Sequence, residues 1–276
     1  LGGRSSVRTD RPEGSIVNVR FSLLRVGLTG TLLVVLAAIL GPIFAPYGPH
    51  EIDITRELMS PEMAGGLGTG VNGIDVFSWL LHGARVSLLV GFSVVGIGLT
   101  VGLGVGLIAG YFGGWFDTVL MRIIDVLLAF PGILLAIYIA AILPPSLGNV
   151  ILALSVTGWV GYARLVRGQV LTVREREYVQ ASRALGAGPL WIIRKHLVPN
   201  ILGPVLVHVS FGLGGAILGE AALSFLGLGV APGTPSWGAL LDEGAQYLLV
   251  APHLAIAPGV AIAVAVLSFN CLGDGL

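Results

Sequence analysis

Lysine is nearly missing from this chain. Its single copy, Lys195, is followed by His196, so the phosphate-cradling pattern G-x-x-x-x-G-K-[ST], which needs lysine directly before Ser or Thr, cannot be assembled. Cysteine also occurs once, as Cys271 in an apolar stretch. That excludes a disulfide framework and any C-x-x-C redox or metal motif, and leaves the thiol as a small apolar residue. Charge of either sign is scarce: charged residues make up 11% of the chain against 55% hydrophobic, and mean hydropathy is +0.92. A soluble globular domain is excluded, and the chain belongs in a bilayer. The net charge of zero carries little information, because in a membrane protein the placement of charge outweighs its sum. The chain begins at Leu1 rather than Met and stops at Leu276, just after Gly273-Asp274-Gly275, so the natural protein is expected to extend beyond both ends.

Apolar residues are abundant and come in long runs. Crossing a hydrocarbon core of about 30 Å takes roughly 20 helical residues, and six segments qualify: Leu23 to Ala45, Val86 to Ala109, Thr118 to Leu143, Leu147 to Val166, Ile201 to Leu226 and Leu254 to Cys271. The first is too long for a signal-peptide core and lacks a clean cleavage site, so it reads as a retained anchor. The expected fold is an all-α membrane protein. It divides into a cytoplasmic tail over 1–22 and a six-helix transmembrane domain over 23–276, with a cytoplasmic insert at 172–199.

Cations set the orientation, since short cytoplasmic loops are enriched in Lys and Arg. Arg4, Arg8, Arg11, Arg20 and Arg25 precede or enter span one, Arg122 follows span two, and Arg164, Arg167, Arg174, Arg176, Arg183, Arg194 and Lys195 surround the insert. The opposite side holds only Arg56 and Arg85 beside seven carboxylates: Glu51, Asp53, Glu57, Glu62, Asp75, Asp242 and Glu243. Both termini are therefore expected in the cytoplasm.

Within the spans, Gly98, Gly102, Gly106 and Gly110 recur at intervals of four, which aligns them on one helix face for close packing against a neighbour. Pro131, Pro204 and Pro258 should bend spans three, five and six. Such bends suit a cavity that opens and closes, although proline is also commoner in membrane helices generally. Two intramembrane carboxylates demand a partner or water. Asp125 has Arg122 three residues before it, so a local ion pair competes with a gating role. Glu220 can line a translocation path or hydrogen-bond a neighbouring helix. His208 lies well inside span five, but Ser210 falls on another face; the chain offers no nucleophile and base for an intramembrane hydrolase, and an interhelical hydrogen bond is expected for His208.

The insert has its own local logic. Thr172 and Glu175 form a capping-box pattern, and Tyr178, Ala181, Ser182 and Leu185 follow at helical steps, predicting a short amphipathic helix from Arg174 to Leu185. Gly186 stands where that helix would end in a left-handed turn. Pro189 opens a second short helix through Leu190, Trp191, Ile192 and Ile193 that should end by Val198, with Pro199 restarting the chain into span five. The product is an elbow with an apolar face, displayed on a solvated loop.

From Gln180 through Gly186 to Pro199 the sequence resembles the E-A-A-x-x-x-G-x₉-I-x-L-P loop of permease subunits in type I ABC importers, departing from it at Gln180, Ser182, His196 and Val198. Five stretches, one of them overlapping this loop, resemble the dipeptide, oligopeptide and nickel branch, C-type subunit: Gly83 to Leu88, Asp125 to Pro131, Glu175 to Gly186, Glu220 to Gly227, and Pro235-Ser236-Trp237-Gly238. Gly68 to Asp75 is similar to that branch's G-T-D-x-x-G-R-D, with Gly70 and Ile74 replacing its first Asp and its Arg.

The resemblance implies a multi-pass permease of the bacterial cytoplasmic membrane, itself non-catalytic and holding no metal, cofactor or nucleic acid. It would pair with a second, B-type permease and two ABC ATPase subunits that carry ATP and Mg, and receive peptides from an extracytoplasmic binding protein. Tyr178, Ala181, Leu185 and Trp191 would anchor ATPase docking, with Gln180, Ser182, Arg183, Gly186, Arg194 and Pro199 completing the coupling surface. The outer loops Pro46 to His82 and Gly227 to Ala251 would meet the binding protein, through Asp75 and Trp237 among others. Nickel or another small solute remains open as cargo. A secondary transporter using Asp125 and Glu220 is the reading from a different class.

Overall fold

A computed structural model describes residues 13–276 of the protein. Arg4, Arg8 and Arg11 of the expected tail lie outside the described residues. The long helices are α1 (Glu13–Phe44), α3 (Val76–Phe112), α6 (Leu147–Arg174), α9 (Val198–Phe225) and α11 (His253–Gly275). Shorter ones are α2 (Pro61–Ala64), α4 (Gly114–Leu128), α5 (Gly132–Ile142), α7 (Glu177–Ala184), α8 (Pro189–Ile192) and α10 (Trp237–Gln246). Among the described residues five helical stretches are long and apolar enough to cross a membrane, and α4 with α5 supplies a sixth if that pair is one span.

Several helices overrun the limits read from hydropathy, because capping groups rather than apolar residues end them. The Asp75 carboxylate accepts the Ser78 N–H at 2.8 Å and starts α3 ten residues before the expected Val86. At the other end Gly113, at φ +66°, stops it. The resulting 37 residues rise about 55 Å, well beyond a hydrocarbon thickness of about 30 Å. Likewise α6 continues past Val166 to Arg174. Span three is broken rather than gently bent. Pro131 has no N–H to continue the ladder, α4 ends at Leu128, and α5 departs from it by 76°.

The helices α3 and α6 form the central pair, joined along the glycine face of α3. A Cβ on Gly98 would lie 3.1 Å from the Gly158 carbonyl, one on Gly106 2.6 Å from Val166 Cβ, and one on Gly110 2.8 Å from Val170 Cβ; Gly102 sits against Tyr162 and Trp159. The four glycines thus face successive turns of α6, and backbone meets backbone. On the other flank α1 lies along α11, with Gly27 against Leu272 and Gly30 against Ser268. The main core gathers Leu88, Val94, Ile217, Leu223, Trp237 and Phe269 from α3, α9, α10 and α11. Apolar side chains remain exposed along α4 and α5, including Ile123, Val126, Leu134 and Tyr138, an ordinary condition for surfaces that meet lipid or another membrane subunit.

Gly106→Val should force α3 and α6 apart, costing about 1–3 kcal/mol. Gly104→Ala is the matched control, since its Cβ would meet nothing within 4 Å. A thermal melt in detergent should show a lowered Tm for Gly106→Val only; equal melting of the two variants contradicts the close contact.

Candidate functional site: an exposed elbow at the cation-rich end

The elbow forms where α6 ends. The expected capping box does not: Thr172 lies inside α6 and donates its hydroxyl back to the Gly168 carbonyl at 3.2 Å, so the helix runs on to Arg174 and α7 begins only at Glu177, with no side-chain cap. Backbone continuity outcompeted the local cap. At the far end of α7, Gly186 takes φ +85°. The Ala187 N–H reaches the Ser182 carbonyl and the Gly186 N–H the Arg183 carbonyl, both at 3.0 Å. This pattern closes a helix C-terminus and needs a residue that tolerates the left-handed region.

The second half differs from the expected short helix and restart at Pro199. α8 passes through a π turn at Ile193–Leu197 directly into α9. The Val198 N–H bonds the Ile193 carbonyl, and the widened turn accommodates the next residue, Pro199, which has no N–H to give. The second arm of the elbow and span five are therefore one rod, Pro189–Phe225.

The keel of the elbow is apolar and fully buried. Val179 from α7 and Ile192 from α8 join Val166, Val170, Leu197 and Ile201 in one cluster. Its outer face is the reverse: Leu185 is 89% exposed, Leu190 69% and Trp191 51%. Leu190 and Trp191 border an open cleft with Gly188, Pro189, Arg194 and Lys195. Gln180, Ala181, Arg183 and Pro199 are exposed and Ser182 is half-buried. Gln180 donates to the Glu175 carbonyl at 3.1 Å, and the Arg183 guanidinium lies over the Tyr111 ring at 5.4 Å.

His196 is the residue that reading the sequence missed. Its Nε2 lies 2.9 Å from the Ser182 hydroxyl, and its ring packs against Tyr178 at 5.4 Å and Trp191 at 5.1 Å between centroids. It joins the two arms of the elbow. Ser182 and His196 are two of the four departures from the motif, and they meet in space; the signal was their joint deviation.

Beside the elbow, basic side chains of α6 tie down neighbouring elements. Arg174 donates to the Gly110 carbonyl at 2.6 Å, and Arg167 grips Asp117 with two bonds, one of them Nη2 to Oδ2 at 2.6 Å. Asp125 is paired across helices with Arg164 at 2.6 Å, not with Arg122, because α4 lies against α6 there. Both partners are about half exposed, so the pair adds little stability.

Glu220 is fully buried on α9, accepting the Ser87 hydroxyl at 3.0 Å and the Ser224 hydroxyl at 2.8 Å. The Trp237 N–H bonds Ser87 Oγ at 3.2 Å, so the carboxylate ties α3, α9 and the start of α10 together. Of the two readings open for Glu220, the geometry matches the interhelical hydrogen bond. Trp237 is corrected as a contact point for an external protein. It is buried, its indole N–H donates to the Leu80 carbonyl at 3.0 Å, and Gly238 beside it leaves no room for a Cβ against Ala221. His208 is a second correction: it does meet a neighbouring helix, but by packing its ring on Tyr162 of α6, with no side-chain hydrogen bond among the described residues.

At the opposite end of the molecule, Glu243 on α10 accepts the Val71 N–H at 3.0 Å. A Cβ on Gly70, where the motif carries Asp, would lie 3.0 Å from this carboxylate, so an aspartate there would face Glu243.

The membrane helices and the elbow define a polytopic permease. The chain belongs to the family of binding-protein-dependent transport system inner membrane components, whose model matches residues 102–276. It is 40% identical over 261 residues to a glutathione transport system permease protein of Shigella dysenteriae, covering 93% of this chain and 86% of that one. To a putative peptide transport system permease protein of Brucella abortus it is 41% identical over 258 residues, covering 94% and 87%. The fold resembles a chain of the methionine ABC transporter MetNI in inward-facing form, with TM-score 0.59 and 23% identity over 71% of this chain and 93% of that one. It also resembles an amino acid ABC transporter, with TM-score 0.54, 17% identity, and 72% and 90% coverage.

Burial pushes the Glu243 carboxyl above its ordinary range; the Val71 N–H works against the rise and the charge of Asp242 adds to it. The folded protein holds this proton more tightly than the unfolded chain, so the stability it contributes is present in acid and lost as pH rises through the raised value. Glu243→Gln keeps an acceptor for Val71 and removes the charge. It should melt above wild type at about pH 7.5, with the gap closing near about pH 4; identical melting at both pH values contradicts the raised carboxyl.

Proposed function

We propose that this protein is the permease subunit of an ATP-driven importer and forms, with a second, B-type permease, the path for di- or oligopeptides delivered by an extracytoplasmic binding protein. Two ABC ATPase subunits carry the ATP and Mg, and one of them docks on this elbow; this chain binds no cofactor and does no hydrolysis itself. The elbow and both termini lie in the cytoplasm, in keeping with the thirteen cations that cluster on that side of the sequence. The glutathione and peptide permeases among its relatives support the cargo class.

The observation that carries the reading is the contrast between the two faces of the elbow. Val179 and Ile192 are sealed into the protein, while Leu185, Leu190 and Trp191 stand in solvent. Burying each exposed side chain under a partner is worth about 1.5–3 kcal/mol, enough for a few anchors to hold a docked ATPase. Because α8 is continuous with α9, a displacement of the elbow moves span five as a unit. ATP-driven closure of the ATPases would thus shift the bundle between two populations, one open to each side.

Gly186→Val places a β-branched residue at φ +85°, where a side chain costs about 1–2 kcal/mol. In the reconstituted importer, ATPase stimulation by loaded binding protein should fall about tenfold, with the permease still inserted in membranes at normal level. Full stimulation in this variant rejects the elbow as the coupling element.

A further inference from the structure

Midway along α3, α6 and α9 lies a cavity of about 220 Å³. Its walls are valine, leucine, alanine and glycine except for two polar side chains, Tyr162 of α6 and His208 of α9. Tyr162 is 4% exposed, and its hydroxyl has no hydrogen-bond partner among the described residues. The half-buried His208 ring stands edge-on to the Tyr162 ring at 4.6 Å between centroids and 81°. Ser155, about two turns away on the same face of α6, is a further buried hydroxyl without a partner among the described residues.

The backbone makes room for this pair. A Cβ on Gly161 would come within 3.1 Å of His208 Nε2, and one on Gly212 would collide with the Tyr162 hydroxyl. A buried hydroxyl left unmet costs about 1–3 kcal/mol, and phenylalanine would pack the same ring without that cost. The polar groups are accounted for by an occupant that meets them. The cavity carries no acidic or basic side chain apart from the imidazole, which disfavours an ammonium group or a metal cation. Its volume equals that of about seven waters, too small for a whole peptide but sufficient for one amide and a small side chain. A tyrosine O–H donates and an imidazole nitrogen accepts, the complement of a peptide group with its C=O and N–H.

We infer that the Tyr162–His208 cavity holds a backbone amide of the peptide in transit, an inference that rests on the peptide cargo proposed above. The test uses the complete importer in proteoliposomes, with loaded binding protein and radiolabelled dialanine or trialanine. Tyr162→Phe and His208→Leu should each reduce uptake at subsaturating peptide about tenfold, the loss of one hydrogen bond of about 1.4 kcal/mol. Gly215→Val fills the same space by another route: its Cβ meets nothing within 4 Å, so the complex should assemble at normal yield while uptake falls. Photolabelling the unaltered importer with a tripeptide of two alanines and one photo-leucine should give adducts within 94–95, 154–162 and 208–216, a readout independent of any variant's folding. Wild-type uptake in all three variants, or adducts confined to other regions, overturns the inference and leaves the peptide reading standing. No uptake of either peptide by the unaltered importer overturns both.

Discussion

In lipid, burying apolar surface does not draw helices together, so the contact between α3 and α6 has to be made by close approach itself. Gly98, Gly102, Gly106 and Gly110 remove the side chains that would hold the two backbones apart. Several other features are positioned from that contact. α6 carries Tyr162 into the central cavity, and its Arg164 and Arg167 reach α4. Its end at Arg174, bonded back to the Gly110 carbonyl, fixes where α7 starts. Widening the α3–α6 contact would displace the elbow and the cavity together.

The two ends of the bundle are fastened differently. At the cation-rich end the joint is apolar at its centre, with Val179 and Ile192 seated among α6 and α9, and polar bonds such as Ser182 to His196 lie at its margin. At the other end the fastening is polar and dry: Glu220 collects the hydroxyls of Ser87 and Ser224, and Ser87 takes the Trp237 N–H. A buried carboxylate in a dry setting is costly to strip of its donors. α9 runs between the apolar joint at one end and the polar one at the other.

Much of the fold was legible in one dimension because hydrocarbon thickness dictates the length of an apolar run. The positions of the spans, a disturbance of span three at Pro131 and the left-handed turn at Gly186 follow from hydropathy, a missing N–H and a missing Cβ, whereas the full 76° break does not. The ends of helices were less legible, since caps such as Asp75 and backbone continuity through Thr172 override a hydropathy boundary. The elbow motif was visible as spacing, whereas the role of His196 was not, because contact with Ser182, Tyr178 and Trp191 depends on how two short helices fold back on each other.

Residue chemistry taken alone thus established a helical bilayer protein with no P-loop, a clustered set of cations and a glycine face awaiting a neighbour, since these are properties of type and period. Partnership was settled in three dimensions. Asp125 chose Arg164 over the adjacent Arg122, Glu220 turned inward to two serines, Trp237 went into the core, and Tyr162 met His208 beside a cavity. Each of those outcomes turns on which helix faces which, and that is decided by packing across residues far apart in the chain.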